Sequence, residues 1–162
     1  MPRPDSTGSP PYDTLIPLAR TIHSTTIPSS TTYLGDVRSF IEKYARRADM
    51  PDMQVEQLKI AVDEACTNVI EHAYQNEDGH QIDLAVIIEP ERFIVRIRDK
   101  GVAFQRSEYE EPDLMSFAKR RKSGGFGVHI MHRLMDDVEY NTDGGFNECC
   151  LIKNRVATNG TH

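Results

Sequence analysis

The chain has 162 residues, of which 38% are hydrophobic and 27% charged, with a formal net charge of −6. That length suits one globular domain with a modest core, and a second catalytic domain is not expected. The acidic balance argues against a surface built to neutralise nucleic-acid phosphates, so no direct nucleic-acid binding is expected, and the basic run "KRRK" at 119–122 adds little to that reading.

The opening "MPRPDSTGSPPYDT" is rich in Pro, Ser and Gly, which predicts a disordered tail over residues 1–15 ahead of a domain at 16–156, with a flexible C-terminus at 157–162. It lacks the basic-then-apolar order of a signal peptide, and no apolar run reaches transmembrane length, so no membrane association is expected. "RTIHSTTIPSS" (20–30) predicts a strand ending in a turn. Leu34, Val37, Phe40, Ile41 and Tyr44 follow at helical spacing until "MPDM" breaks the pattern, and a second helix is expected over 53–75.

Beyond "QNEDGH" the period changes to two. Ile82, Leu84, Val86 and Ile88 alternate onto one face, as do Phe93, Val95 and Ile97, and the short "EPER" between them predicts an antiparallel hairpin. Residues 101–123 hold no period and are acidic in one half (Glu108, Glu110, Glu111, Asp113) and basic at the end, the mark of a functional or mobile loop. "GVHIMHRLMDDV" reads as helical, and "VEYNTDGGFNECCLIKN" as a last hairpin around "DGG". Cys66, Cys149 and Cys150 form no C-x-x-C pair and are odd in number, which fits a reduced, cytoplasmic protein. The fold class is therefore an α/β (α+β) two-layer sandwich: a mixed, mostly antiparallel sheet covered on one face by helices.

Within the second helix, "KIAVDEACTNVIEHAY" places Leu58, Val62, Ala65 and Val69 in one sector at about 100° per residue. Glu64 and Asn68 lie beside that sector with small Ala61 and Ala65 next to them, so a carboxylate and an amide at i and i+4 can both face a cleft at the sheet's edge. Alone, such a pair is ordinarily a solvated helix flank. Two glycine sites change its meaning. In "RIRDKGVAF" a strand ends in Asp99, and Gly101 follows: a carboxylate there can accept from an exocyclic amine, while the glycine admits a flat ring. In "KSGGFGVHIMHRLMDD" the run Gly124, Gly125, Phe126, Gly127 opens a helix, so backbone N–H groups can face an anion such as a phosphate chain. No G-K-[ST] follows and no strand precedes it, which separates it from the P-loop and the dinucleotide fingerprint.

In this order and spacing the three sites resemble the GHKL (Bergerat-fold) ATPases, and more closely the bacterial anti-sigma-factor serine/threonine protein kinases. "KIAVDEACTNVIEHAY" is similar to that family's N box, "RDKGVAF" to its first glycine box, and "GGFGVHIMHRLMDDVEY" to its second. The resemblance spans about residues 20–154. It implies ATP with Mg²⁺ as cofactor, Asn68 as magnesium ligand and Glu64 as the catalytic general base. It also implies Asp99 as the adenine-reading aspartate with Gly101 beside it, and Gly124, Gly125, Phe126 and Gly127 against the phosphates. The loop at 101–123 would be an ATP lid, with Arg121 and Lys122 as candidates for the γ-phosphate contact. The implied activity is phosphorylation of an anti-anti-sigma (STAS-type) protein coupled to sequestration of a sigma factor, by a homodimer. Two alternatives stay open: a nucleotide-gated binding module without phosphotransfer, and a weak ATPase.

His72 is expected at the helix end rather than on a metal, since no second His or Cys stands at ligand spacing. The chain departs from the family pattern at Ala103, where relatives carry glycine or proline, and at His129, where an apolar residue is usual.

Overall fold

The structure, a computed structural model, describes residues 19–103 and 126–156. The expected tail at 1–15, the lid beyond Ala103 and the C-terminus at 157–162 lie outside these. Five strands form one sheet in the order β1-β2-β3-β5-β4. They are β1 (Thr21–Pro28), β2 (Gln81–Ile88), β3 (Arg92–Asp99), β4 (Asp137–Asp143) and β5 (Phe146–Asn154). Every pairing among them is antiparallel. The "EPER" turn closes with Glu89 N–H donating to Arg92 O at 2.9 Å. The "DGG" turn places Gly144 and Gly145 at φ 58° and 83°, the left-handed pair that a two-residue hairpin requires.

Of the inward set predicted from alternation, Ile82, Leu84, Val86, Phe93, Val95 and Ile97 are buried and Ile88 is half-buried under a layer of three helices, α1 (Leu34–Arg47), α2 (Asp52–Asn68) and α3 (Phe126–Leu134). α1 contributes Val37, Ile41 and Ala45, and α2 contributes Val55, Leu58, Ala61, Val62 and Ala65. Burial of each larger side chain contributes about 1.5–3 kcal/mol. The middle helix, α2, packs against both α1 and α3 and against β5, and so the stripe carrying Glu64 and Asn68 runs over the C-terminal part of the core.

Two boundaries differ from the sequence reading. The second helix is α-helical only to Asn68; Val69–Ala73 forms a π turn in which Tyr74 N–H donates to Val69 O at 2.9 Å. The third helix stops at Leu134 instead of running to Val138, because Asp137 and Val138 already pair with Ile152 and Leu151. Buried Lys153 enforces that stop by donating from Nζ to Leu134 O at 2.7 Å, a cation on the negative end of the helix. No helix among the described residues is long and apolar enough to cross a membrane.

Candidate functional site

The π turn decides how the end of α2 meets the sheet. By widening the last turn it swings Ala73 and Tyr74 toward the end of β3. Val102 N–H donates to Ala73 O at 2.8 Å. The Tyr74 hydroxyl accepts from Lys100 N–H at 2.9 Å and donates to Gln81 O at 2.7 Å. The Tyr74 ring is buried and stacks on His80 with 4.4 Å between centroids. A single phenol thus joins the start of β2 to the first residue after β3.

Gly101 lies so close to this turn that a Cβ at 101 would collide with the Ala73 carbonyl. That close approach is the reason for glycine here, independent of any ligand. Beside it, buried Asp99 accepts through Oδ1 from Gly101 N–H and from Asn147 Nδ2, both at 2.9 Å. The second amide hydrogen of Asn147 goes to Gly101 O at 2.8 Å. One carboxylate oxygen is saturated, while Oδ2 receives none of the hydrogen bonds made among the described residues. A fixed, buried carboxylate with one spare oxygen is suited to accept from a planar amine.

The second half of the site is the contact between α2 and the first turn of α3. Glu64 is half-buried, and Gly127 abuts it so closely that a Cβ at 127 would strike its carboxylate. Burial, chiefly, raises the Glu64 pKa above the ordinary carboxylate value, with the negative charges of Asp63 and Glu71 adding to it. Asp63 is itself held by Arg38 through two bonds of 2.8 and 3.0 Å, which tethers α1 to α2 next to Glu64. Asn68, one turn beyond Glu64, is half-buried, and its amide makes no hydrogen bond among the described residues, leaving the oxygen available to a cation.

The sequence-derived residues thus fall into two groups: Asp99 with Gly101 at the end of β3, and Glu64 with Gly127 between α2 and α3, with Asn68 on the α2 side. Phe126 opens α3 by its backbone; Arg121, Lys122, Gly124 and Gly125 lie outside the described residues. His72 is exposed on the π turn, at the helix end as expected. His129 sits half-buried in α3. Among the described residues no three His, Cys, Asp or Glu side chains cluster as a metal site. The thiols are unsuited to nucleophilic work, since burial pushes Cys66 and Cys150 up to about 12 and Cys149 higher still.

Tyr74 and Asn147 were not singled out by the sequence. Asn147 gains its role only through the β3–β5 register, which sets it opposite Asp99. Alternation along "FNECCLIK" puts it on the inward face with Cys149 and Leu151, and this was the available signal.

A family model described as "Histidine kinase-like ATPase domain" matches residues 27–153. Among curated relatives, the serine-protein kinase RsbW of Bacillus pumilus is 34% identical over 126 residues, covering 74% of this chain and 77% of its own. RsbW of Listeria monocytogenes is 32% identical over 123 residues, covering 74% and 78%. In fold, the chain is similar to the SiaB–SiaC complex structure from Pseudomonas aeruginosa, with a TM-score of 0.60 at 11% identity over 87% of this chain and 94% of that one. It is also similar to the RsbU and RsbW domains of a Mycobacterium tuberculosis protein, with a TM-score of 0.56 at 13% identity over 85% of this chain, which spans only 34% of that structure. With the family match spanning residues 27–153 and a relative at 34% identity, the chain belongs to the histidine kinase-like ATPase family, in the branch of the RsbW serine-protein kinases.

Proposed function

We propose that this ATP-using kinase transfers the γ-phosphate to a serine or threonine of a small STAS-type anti-anti-sigma protein, and that it sequesters a sigma factor when not so engaged. The observation that carries the reading is the Glu64–Gly127 contact, which sets a carboxylate of raised pKa against the glycine-rich start of α3. Such a carboxylate can take the proton of the attacking hydroxyl, and glycine lets the helix N-terminus come close to phosphate oxygens. Asp99 Oδ2 would accept from the adenine amine while Asn147 and Gly101 hold the carboxylate still.

The donor set fits Mg²⁺ of the kind carried in by phosphates: Asn68 offers one hard amide oxygen, and a cluster of carboxylates able to cage an ion alone is missing among the described residues. When bound, the ion supplies charge neutralisation on the phosphate chain. Arg121, Lys122, Gly124 and Gly125 complete the proposal as phosphate contacts from the lid. A homodimer is part of this reading, since edge strand β1 and helix α1 offer a symmetric surface, and so is a cytoplasmic location.

The test is transfer of labelled γ-phosphate from Mg-ATP to STAS-type proteins encoded in the same genome, comparing the wild type with Glu64→Ala. Glu64-dependent labelling of one serine or threonine supports the kinase; tight ATP binding without labelling would replace it with the nucleotide-gated binding module.

A further inference from the structure

The α2 stripe that carries Glu64 is not polar along its length. Met53, Gln57, Ile60 and Glu64 fall within an arc of about 60° on the helix, at 100° per residue. Met53 is 74% exposed and Ile60 46% exposed, although both are large apolar side chains. Isolated exposed apolar residues need no explanation; two in line with the proposed base do. The line is also bordered on both sides. Toward α1 stand the Arg38–Asp63 pair and the Lys59–Glu42 pair, the latter at 3.5 Å. Toward α3 stands Gly127 against Glu64. The result is a shallow track whose floor is α2 and whose inner end is the Glu64 carboxylate.

We infer that this track, Met53–Gln57–Ile60, is the docking surface for the protein substrate, and that its occupant is an extended segment of that protein whose acceptor hydroxyl is flanked by apolar side chains. The inference rests on the kinase reading of Glu64. An acceptor hydroxyl must come within about 3 Å of the base, so the chain around it necessarily covers the neighbouring surface. Ile60 lies one turn from Glu64, about 6 Å along the axis, and Met53 about 16 Å away. For an extended segment at about 3.3 Å per residue, these distances place apolar partners about two and five positions from the acceptor. The ionic pairs at the α1 border are already satisfied, so they supply no strong charge preference; the selection is apolar and positional.

Affinity of the wild type, Met53→Asp, Ile60→Asp and the double variant for STAS-type proteins encoded in the same genome, measured calorimetrically with a non-hydrolysable ATP analogue and Mg²⁺ present, tests this directly. Phosphotransfer and analogue affinity are read on the same samples. The expected result is a loss of about tenfold or more in partner affinity for the double variant, and a matching rise in KM for the protein substrate. Affinity for the analogue stays within about twofold of the wild type, as neither residue touches the nucleotide corner. Unchanged partner affinity overturns the inference, as does a parallel loss of analogue affinity or the failure of the wild type to bind any STAS-type protein. If aspartate lowers the melting temperature, Met53→Gln with Ile60→Gln takes the same readings. Phosphotransfer with an unaltered KM would remove the docking track and leave the kinase standing. Weakened binding in the variants with no transfer by the wild type would do the reverse.

Discussion

Asn147 and Asp99 face each other across the β3–β5 ladder, and Asn147 Nδ2 lies 2.9 Å from Asp99 Oδ1 while its other hydrogen reaches Gly101 O. The asparagine orients the carboxylate and shapes the glycine turn at once. Asn147→Ala should therefore weaken ATP binding by about fivefold to tenfold, about 1–1.4 kcal/mol, within the net worth of one typical hydrogen bond, while kcat at saturating ATP is retained. Asn147→Asp should be worse, because a second carboxylate against Asp99 favours protonation of one of them. Titration with a fluorescent ATP analogue checks both, and equal affinity in Asn147→Ala would remove the positioning role.

Gly127 abuts the Glu64 carboxylate directly. A methyl group at 127 must displace the Glu64 carboxylate or push α3 away from α2. The expected outcome for Gly127→Ala is a fall in phosphotransfer of at least about tenfold, with a smaller loss of stability on the order of 1–3 kcal/mol from overpacking. Single-turnover kinetics alongside thermal melts would separate the two effects.

The raised pKa of Glu64 carries a sign for both activity and stability. As a base it must be ionised, so phosphotransfer should fall with decreasing pH along a limb lying above the ordinary carboxylate value of 4.5, and Glu64→Gln should abolish transfer altogether. For stability, a folded-state pKa above the unfolded one means a contribution that is full below 4.5 and lost as pH rises through the raised value. At neutral pH the ionised Glu64 is thus a burden on the fold. Glu64→Gln should melt at a higher temperature than the wild type at pH 8 and show no such gain at pH 4.

Tyr74→Phe removes one hydroxyl that serves two backbone groups, Lys100 N–H and Gln81 O. With those partners left unsatisfied, the chain should lose about 1–3 kcal/mol of stability. Nucleotide affinity should fall as well, since the Lys100–Gly101 turn is no longer held against the π turn. Wild-type affinity in this variant would show that the corner is fixed by Asn147 alone.

Much of this was legible in the sequence because it follows from period and punctuation. The alternation of Ile82 to Ile88 and Phe93 to Ile97 gave the hairpin and its inward face, and the sector of Leu58, Val62 and Ala65 gave the buried side of α2, with half-buried Glu64 and Asn68 beside it. What escaped depended on contacts between distant segments. The π turn after Asn68 has no periodic signature in five residues, and the early end of α3 is fixed by Lys153, nineteen residues beyond Leu134. Asn147 looked like an ordinary strand-entry residue until the register placed it opposite Asp99. In each case a tertiary partner overrode local propensity.

The position of β5 has a consequence for how the protein comes into being. It is the last of the described strands in chain order, yet it is inserted between β3 and β4 and brings Asn147 to Asp99. A nascent chain that ends before Phe146 has β3 as a bare edge and half of the proposed nucleotide corner missing. Nucleotide capture should therefore report on completion of the β4–β5 hairpin, and a chain truncated before Phe146 should emerge with weakened ATP binding.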